Sequence, residues 1–327
     1  MVNVFITGAT GFVGSHIARV MLDNGHSVRV LRRSTSKLDA LQGLEVSHAV
    51  GSLFEVDELI RHLKGIDWVI HTAAVSEYWR SSKAEIYKTN VDGTRNLLLA
   101  AEQAGVKRFI FTSSAAAVGY WGGGRSAHED TYFNIDPKLS PYGHSKFLAE
   151  AEVYKAIRRG LDCVILNPAV ILGPGDLNLI SGSLVVELAR GTSPVMPQAG
   201  GTTYIDVRDV AKSHLAAAEK GRTGERYLLG AVDLTHKALW KLITAVIGAK
   251  LPVIPAPPEV IPVAAKLVDW GRALGLEIPA EGNQLRLSRR HIYFDCRKAH
   301  RELHEPEITI VQSIRDTYAW YKAQGVI

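Results

Sequence analysis

The stretch VFITGATGFVG, from Val4 to Gly14, restricts the fold more than any other part of the chain. An apolar run ends in glycines three residues apart, Gly8, Gly11 and Gly14, and an amphipathic segment follows at once. Glycine permits a tight turn, lets backbone approach a ligand, and lets a helix lie close against a strand. The first turn of that helix offers free N–H groups and the positive end of its dipole to a phosphate. A sharp turn without a ligand would also use glycine. The preceding strand and following helix are what the dinucleotide fingerprint requires, so Gly8, Thr10, Gly11, Phe12, Val13 and Gly14 are read as a pyrophosphate-binding loop.

The pattern after this loop supports the same architecture. Short runs rich in Val, Ile and Phe (NVFIT, SVRVL, LEVSHAV, WVIHTA, RFIFTSS, CVILNP) alternate with helical segments such as SHIARVMLDNG and VDGTRNLLLAAEQAG. Apolar strands joined by helical crossovers imply a parallel sheet covered on both faces. The expected fold class is therefore α/β, a doubly wound parallel sheet (Rossmann fold) with a smaller, mostly helical C-terminal substrate lobe. The dinucleotide-binding domain is expected over 1–175, rejoined by about 203–231, where TTYIDVRDVAKSHLAAAEKG and ERYLLGA read as a strand, a helix and a strand returning to the sheet. The lobe takes 176–202 and 232–327. Its prolines in LPVIPAPPEVIP preclude regular helix. The following VIPVAAKLVDWGRALG is a helix, read as core-facing or pocket-lining in preference to lying on a membrane surface.

After the second strand an NAD site usually carries an acidic residue for the ribose hydroxyls. This chain has Leu31, Arg32 and Arg33, with Lys37 following. A guanidinium can pair with a 2′-phosphate that a carboxylate would repel. NADP is therefore the expected cofactor, with NAD the alternative. The net charge of +5 suits anionic ligands.

Ser113 and Ser114 close the fifth strand, at the edge where open parallel sheets bind ligands. SPYGHSK follows. Ser140 and Pro141 start a helix, and Tyr142 and Lys146, four apart, share one face of it. A nearby ammonium is expected to draw the phenol pKa down, so that the phenol can exchange a proton with an oxygen held by a serine.

With these motifs the sequence resembles the extended short-chain dehydrogenase/reductase superfamily over nearly its whole length. The matching stretches are TGATGFVG, HTAA, NVDGTRNLL, FTSSAAAVG, YGHSK, NPAVILGPGD and YIDVRDVAKSHLAA. Within it the chain is similar to the dihydroflavonol 4-reductase-like branch and to bacterial hopanoid-associated sugar epimerase-like proteins, through EYWRSSKAEIYKTNVDGTRNLL, GERYLLGA and SIRDTYAWYKAQG. The resemblance implies Tyr142 as general acid/base, Lys146 as its modulator and ribose ligand, Ser114 as donor to the substrate oxygen, and Asn90 as the residue steadying the helix. It further implies that Thr72, Ala73 and Ala74 wall the adenosine, that Thr112 lies beneath the catalytic serine, and that Pro168, Ala169 and Val170 flank the nicotinamide amide. Two departures stand out. Ser52 replaces an acidic residue often found facing the adenine amine, leaving Leu53 to supply backbone groups, and Asn167 stands where many nucleotide-sugar enzymes have Arg before the proline.

Three functions fit these residues. The favoured one is an NADP(H)-dependent oxidoreductase that reduces a ketone or aldehyde, or oxidises the alcohol. The second is a nucleotide-sugar epimerase or dehydratase with tightly bound NAD, in which Arg286, Arg289 or Arg290 would hold the diphosphate, although solvated helix charges are the favoured reading of those arginines. The third is a non-catalytic NADP-binding sensor. Ser76, Tyr78, Ser114 and Asn167 are candidate substrate contacts. Tyr78, Trp79, Tyr120 and Trp121 either line an aromatic pocket or pack on the surface, and WGGGR has the flexibility of a lid. His71 is read as a core histidine and His144 as a helix-surface one. No metal site is expected. Two distant cysteines, Cys163 and Cys296, and no signal peptide imply a reducing, cytoplasmic setting. A small-molecule substrate and a homodimer are expected, with no nucleic acid and no membrane span.

Overall fold

The computed structural model describes residues 1–76, 81–193, 195–250, 254–276, 278 and 281–327. The first half runs β1 (Asn3–Thr7), α1 (Phe12–Asp23), β2 (Ser27–Arg32), β3 (Ser47–Val50), α2 (Val56–Leu63), β4 (Trp68–His71) and α3 (Lys83–Tyr87). A π-helical turn, Lys88–Asp92, leads into α4 (Gly93–Ala104), β5 (Arg108–Thr112), α5 (Pro141–Arg158) and β6 (Cys163–Pro168). The second half holds β7 (Val170–Leu172), α6 (Ser183–Arg190), β8 (Val195–Pro197), β9 (Gly201–Asp206), α7 (Val207–Lys220), β10 (Arg226–Leu229) and β11 (Val232–Thr235). It continues with α8 (His236–Ile247), β12 (Ile254–Ala256), α9 (Ile261–Ala273), α10 (Gly282–Ser288), β13 (His291–Ile292), α11 (Arg297–Glu302) and α12 (Ile310–Ala323).

A seven-stranded sheet in the order β10-β6-β5-β4-β1-β2-β3, parallel throughout, forms the larger layer. Its strands alternate between two fully covered faces. Val4 and Ile6 of β1 point into a cluster with Val30, Ile70, Ile110 and Val164 beneath α1 and α7. Phe5 points the other way, to Phe109, Phe111 and Ile165 beneath α4 and α5. Phe5, Phe109 and Phe111 are wholly buried, each contributing roughly 2–3 kcal/mol. The strand order reverses between β1 and β4, and a crevice opens there at the carboxyl ends of the strands.

The second lobe is built on a smaller sheet, β11-β9-β13, with β7 also paired to β9. Leu172, Val185, Tyr204, Leu239 and Ile314 form its core. This corrects the expectation for TTYID. Only ERYLL, as β10, returns to the large sheet, whereas TTYID, as β9, becomes the centre of the small one. Edge pairing depends on which strands arrive nearby, and a short apolar run cannot encode that.

The core-facing reading of α9 is corrected too. That helix buries Ile261, Ala265 and Gly271, but leaves Val263, Leu267 and Trp270 at 60%, 61% and 65% exposure. Its main packing partner is the short α10, which covers one narrow side. Among the described residues no helix is long and apolar enough to cross a membrane.

Candidate active site

One cleft of about 650 Å³ runs along the carboxyl edge of the sheet, from the glycine loop to the Tyr helix. Gly8 has φ +76, and a Cβ there would lie 2.6 Å from the Ala73 nitrogen. A Cβ on Gly14 would lie 2.3 Å from the Gly8 carbonyl oxygen. Both positions therefore exclude any side chain, which brings α1 close under the turn. Gly11 caps α1 with no side-chain hydrogen bond, leaving first-turn N–H groups for an anion. Thr10, Phe12 and Val13 line the same end. The opposite wall is tied to β1, because Thr72 Oγ1 donates to the Thr7 carbonyl at 2.7 Å. This cradle fits a dinucleotide pyrophosphate.

The far end is basic. Arg32 and Arg33 line it with Ser36, and among the described residues none that lines the cleft is Asp or Glu. Arg32 Nε is buried without a hydrogen-bond partner. Lys37 is exposed and lies off the cleft. Ser52 and Leu53 line it. The Ser52 hydroxyl accepts from the Phe54 N–H at 3.2 Å and the Leu53 carbonyl accepts from Asn96 Nδ2 at 3.0 Å, so both are already engaged in local structure.

At the other end α5 begins with Ser140, whose side chain accepts from the Gly143 N–H, and with Pro141 in the first turn. Tyr142 and Lys146 project from one face of it into the cleft beside Ser114. The Ser114 hydroxyl is close enough to the phenol to favour its ionised form. Lys146 Nζ donates to the Thr112 carbonyl at 2.6 Å and sits 4.4 Å above the Phe111 ring. Asn90 is buried in the π-helical turn. It accepts from the Val75 N–H at 2.7 Å and donates to Ser145 Oγ at 2.9 Å, and Ser145 in turn donates to the Tyr142 carbonyl. Asn90 thus joins the β4 loop to the first turn of α5.

The electrostatics differ from expectation at the phenol. Burial pushes Tyr142 above its ordinary value, with the Ser114 hydrogen bond opposing. Lys146 is itself brought down to about 7 by burial, against the pull of Glu150, so its charge is weakened and does not draw the phenol down. His71 is a core histidine as predicted. It bonds Thr7 and Thr94 at 2.7 and 2.9 Å, and burial lowers it to about 3. His144 is corrected. It is partly buried, bonded to the Tyr87 hydroxyl and stacked near Phe133 and Phe147.

The remaining candidates separate. Ser76, Thr112, Ala73, Ala74, Pro168 and Ala169 line the cleft. Val170 instead pairs with Tyr204 in the small sheet. Asn167 is wholly buried behind Ser114 and faces away from the cleft. Tyr78 and Trp79 lie outside the described residues. Tyr120 and Trp121 line a neighbouring hollow with Gly122, Gly123 and Gly124 of WGGGR, where the Arg290 guanidinium lies 4.9 Å from the Tyr120 ring. The favoured solvated reading fails for Arg290, which is stacked, and for Arg286, which pairs with Asp269 at 2.6 Å. Arg289 is exposed. The sequence reading missed Asn178 and Ser181, which the lobe contributes to the cleft. It also missed Glu150, although a carboxylate one turn past Lys146 on the same helical face was a visible signal. Among the described residues no cluster could hold a metal ion.

The NAD dependent epimerase/dehydratase family model matches residues 4–230, which span the glycine loop, the Tyr helix and β10. The chain belongs to this family. It is thus an extended short-chain dehydrogenase/reductase, a nicotinamide-dependent oxidoreductase. Its relatives include a Synechocystis sp. protein provisionally named dihydroflavonol 4-reductase, 33% identical over 99% of this chain and 95% of that one. Sterol demethylase protein B of Methylococcus capsulatus is 31% identical over 99% of this chain and 100% of its own. Among solved structures, gox2253 superposes with a TM-score of 0.88 at 33% identity, covering 100% of both chains. A nucleoside-diphosphate-sugar epimerase from Pseudomonas aeruginosa gives 0.83 at 26%, covering 100% and 99%.

Proposed function

We propose that this family member is an NADP(H)-dependent carbonyl reductase acting on a small organic ketone or aldehyde. The observation that carries this reading is the basic end of the cleft, where no described lining residue is Asp or Glu and Arg32 keeps a buried, unpartnered Nε. An NAD-selective site would hold a carboxylate there, and a 2′-phosphate would satisfy the guanidinium. A bound nicotinamide supplies the hydride. The protein holds the substrate oxygen between the Ser114 and Tyr142 hydroxyls, and Tyr142 Oη gives its proton to that oxygen as the alcohol forms. The raised Tyr142 keeps the phenol protonated at neutral pH, which suits an acid in the reductive direction. Lys146 donates one hydrogen bond to the Thr112 carbonyl and has two N–H groups left for ribose hydroxyls. Cinnamoyl-CoA reductase 2 of Arabidopsis thaliana, 32% identical over 71% of this chain, is consistent with net reduction.

Initial rates with NADPH and NADH over a ketone panel test this. NADPH should give a kcat/KM about tenfold or more above NADH, and Arg32→Ala should erase most of that ratio by removing a charge-assisted pair. Equal efficiency with both cofactors, or an unchanged ratio in the variant, would count against it. The second reading, a sugar epimerase, is favoured by the Pseudomonas aeruginosa relative. It requires copurified NAD and sugar interconversion without net cofactor consumption.

A further inference from the structure

The carboxylate of Glu150 is 2% exposed, lies one helical turn beyond Lys146, and has no part in the proton exchange just described. Three donors converge on it. Ser113 Oγ lies at 2.5 Å, Asn167 Nδ2 at 2.6 Å and Arg226 at 3.0 Å. Burial pushes Glu150 above its ordinary value, and Arg226, Ser113 and Asn167 oppose that rise; three donors around two oxygens favour the ionised carboxylate. Two of these donors are also anchored elsewhere. Asn167 Nδ2 reaches the Ser114 carbonyl at 3.0 Å. Arg226, on β10, donates to the Thr131 carbonyl at 3.0 Å and to the Glu129 carbonyl at 2.5 Å. Thr112, Ser113 and Ser114 are therefore each fixed by a different side chain, Lys146, Glu150 and Asn167 respectively.

We infer that Glu150 is a positioning residue for the proposed reaction, holding the end of β5 so that Ser114 meets Tyr142 while keeping an anion one turn from the Lys146 ammonium. This rests on the proposed proton exchange at Tyr142. The groups around that ammonium are Tyr142 and Glu150 on its own helix, His71 on β4, His214 on α7 through Thr112, and Arg226 on β10 behind Glu150. Burial holds both histidines well below neutral pH, so they carry no charge there. The Glu150 charge supports the protonated form of Lys146. Its loss lets Lys146 release its proton at lower pH, and the Arg226 charge left without its carboxylate would add to that change.

The test compares Glu150→Gln, Ser113→Ala and the double variant Glu150→Leu/Arg226→Met, which removes both buried charges and guards against misfolding of the first. Glu150→Gln should lower kcat about tenfold with KM within about twofold, as expected for lost alignment in the transition state. The alkaline limb of its pH profile should move to lower pH by roughly half a unit or more. Ser113→Ala, which removes a neutral donor, should lower kcat about threefold and leave the limb in place. The double variant should fold, keep the low kcat and keep the shifted limb. A parallel NMR titration of isotope-labelled lysine reads Lys146 directly. If no ketone is reduced by the unaltered protein, the proposed function fails, while the Lys146 titration still decides whether Glu150 controls that proton. A lower melting temperature with unchanged kcat and unchanged limb would overturn the inference, as would full kcat in the double variant.

Discussion

At the scale of single residues, adjacent serines have opposite duties. Ser114 faces the cleft and Tyr142, while Ser113 points inward to Glu150. FTSS showed both hydroxyls at the strand end, and strand alternation sends neighbours to opposite faces, so one of the two had to be internal. The identity of the inward partner was not legible, because it comes from a helix 37 residues away. The pairing of Tyr142 with Lys146 was legible from i, i+4 spacing, but the sign of the phenol shift was not. That sign depends on burial, which spacing does not reveal. Tyr142→Phe removes only the phenolic oxygen. Turnover should fall by about a thousandfold or more, with the melting temperature and NADPH affinity nearly unchanged. A variant retaining a tenth of the activity would show that another group exchanges the proton.

Elements owe their placement to a few local codes, some readable and some not. Ser140 and Pro141 announced the start of α5, and the glycine loop announced the junction of β1 and α1. Gly14→Ala tests that junction. The added methyl would fall 2.3 Å from the Gly8 oxygen, so the helix must shift away from the turn. Nucleotide affinity should drop tenfold or more, measured by fluorescence titration, with a loss of roughly 1–3 kcal/mol in stability from overpacking. An unchanged affinity would mean that the loop does not bind the pyrophosphate. The π-helical turn at Lys88–Asp92 left no comparable trace. KTNVDGT carries no breaker at its start, and its extra width is fixed by Asn90 reaching two separate segments. The outward face of α9 was misread because helical periodicity locates an apolar stripe without saying what meets it.

For the whole molecule, the large sheet was legible because strands buried on both faces read as continuous apolar runs. The small sheet was not, since β7, β11 and β13 are short and part-exposed, and the partners of the buried β9 come from distant segments. Global stability should carry the mark of two histidines buried neutral, His71 at about 3 and His214 at about 4. Between pH 4 and 6.5 the unfolded chain binds protons that the folded one refuses. Each histidine therefore removes up to about 1.4 kcal/mol of stability per unit of acidification below 6.5. Thermal melts should show a shallower fall from pH 6.5 to 4.5 in His214→Gln than in the unaltered protein. Parallel curves would show that His214 takes up its proton without unfolding.

The pairing of Glu150 with Arg226 also sets an order of events during synthesis. The Tyr helix leaves the ribosome 76 residues ahead of the guanidinium that neutralises its buried carboxylate, and β7, α6, β9 and α7 are made in the interval. Until β10 docks, Glu150 must stay hydrated or protonated. The large-sheet strand made last is therefore the one that supplies the buried carboxylate with its cation.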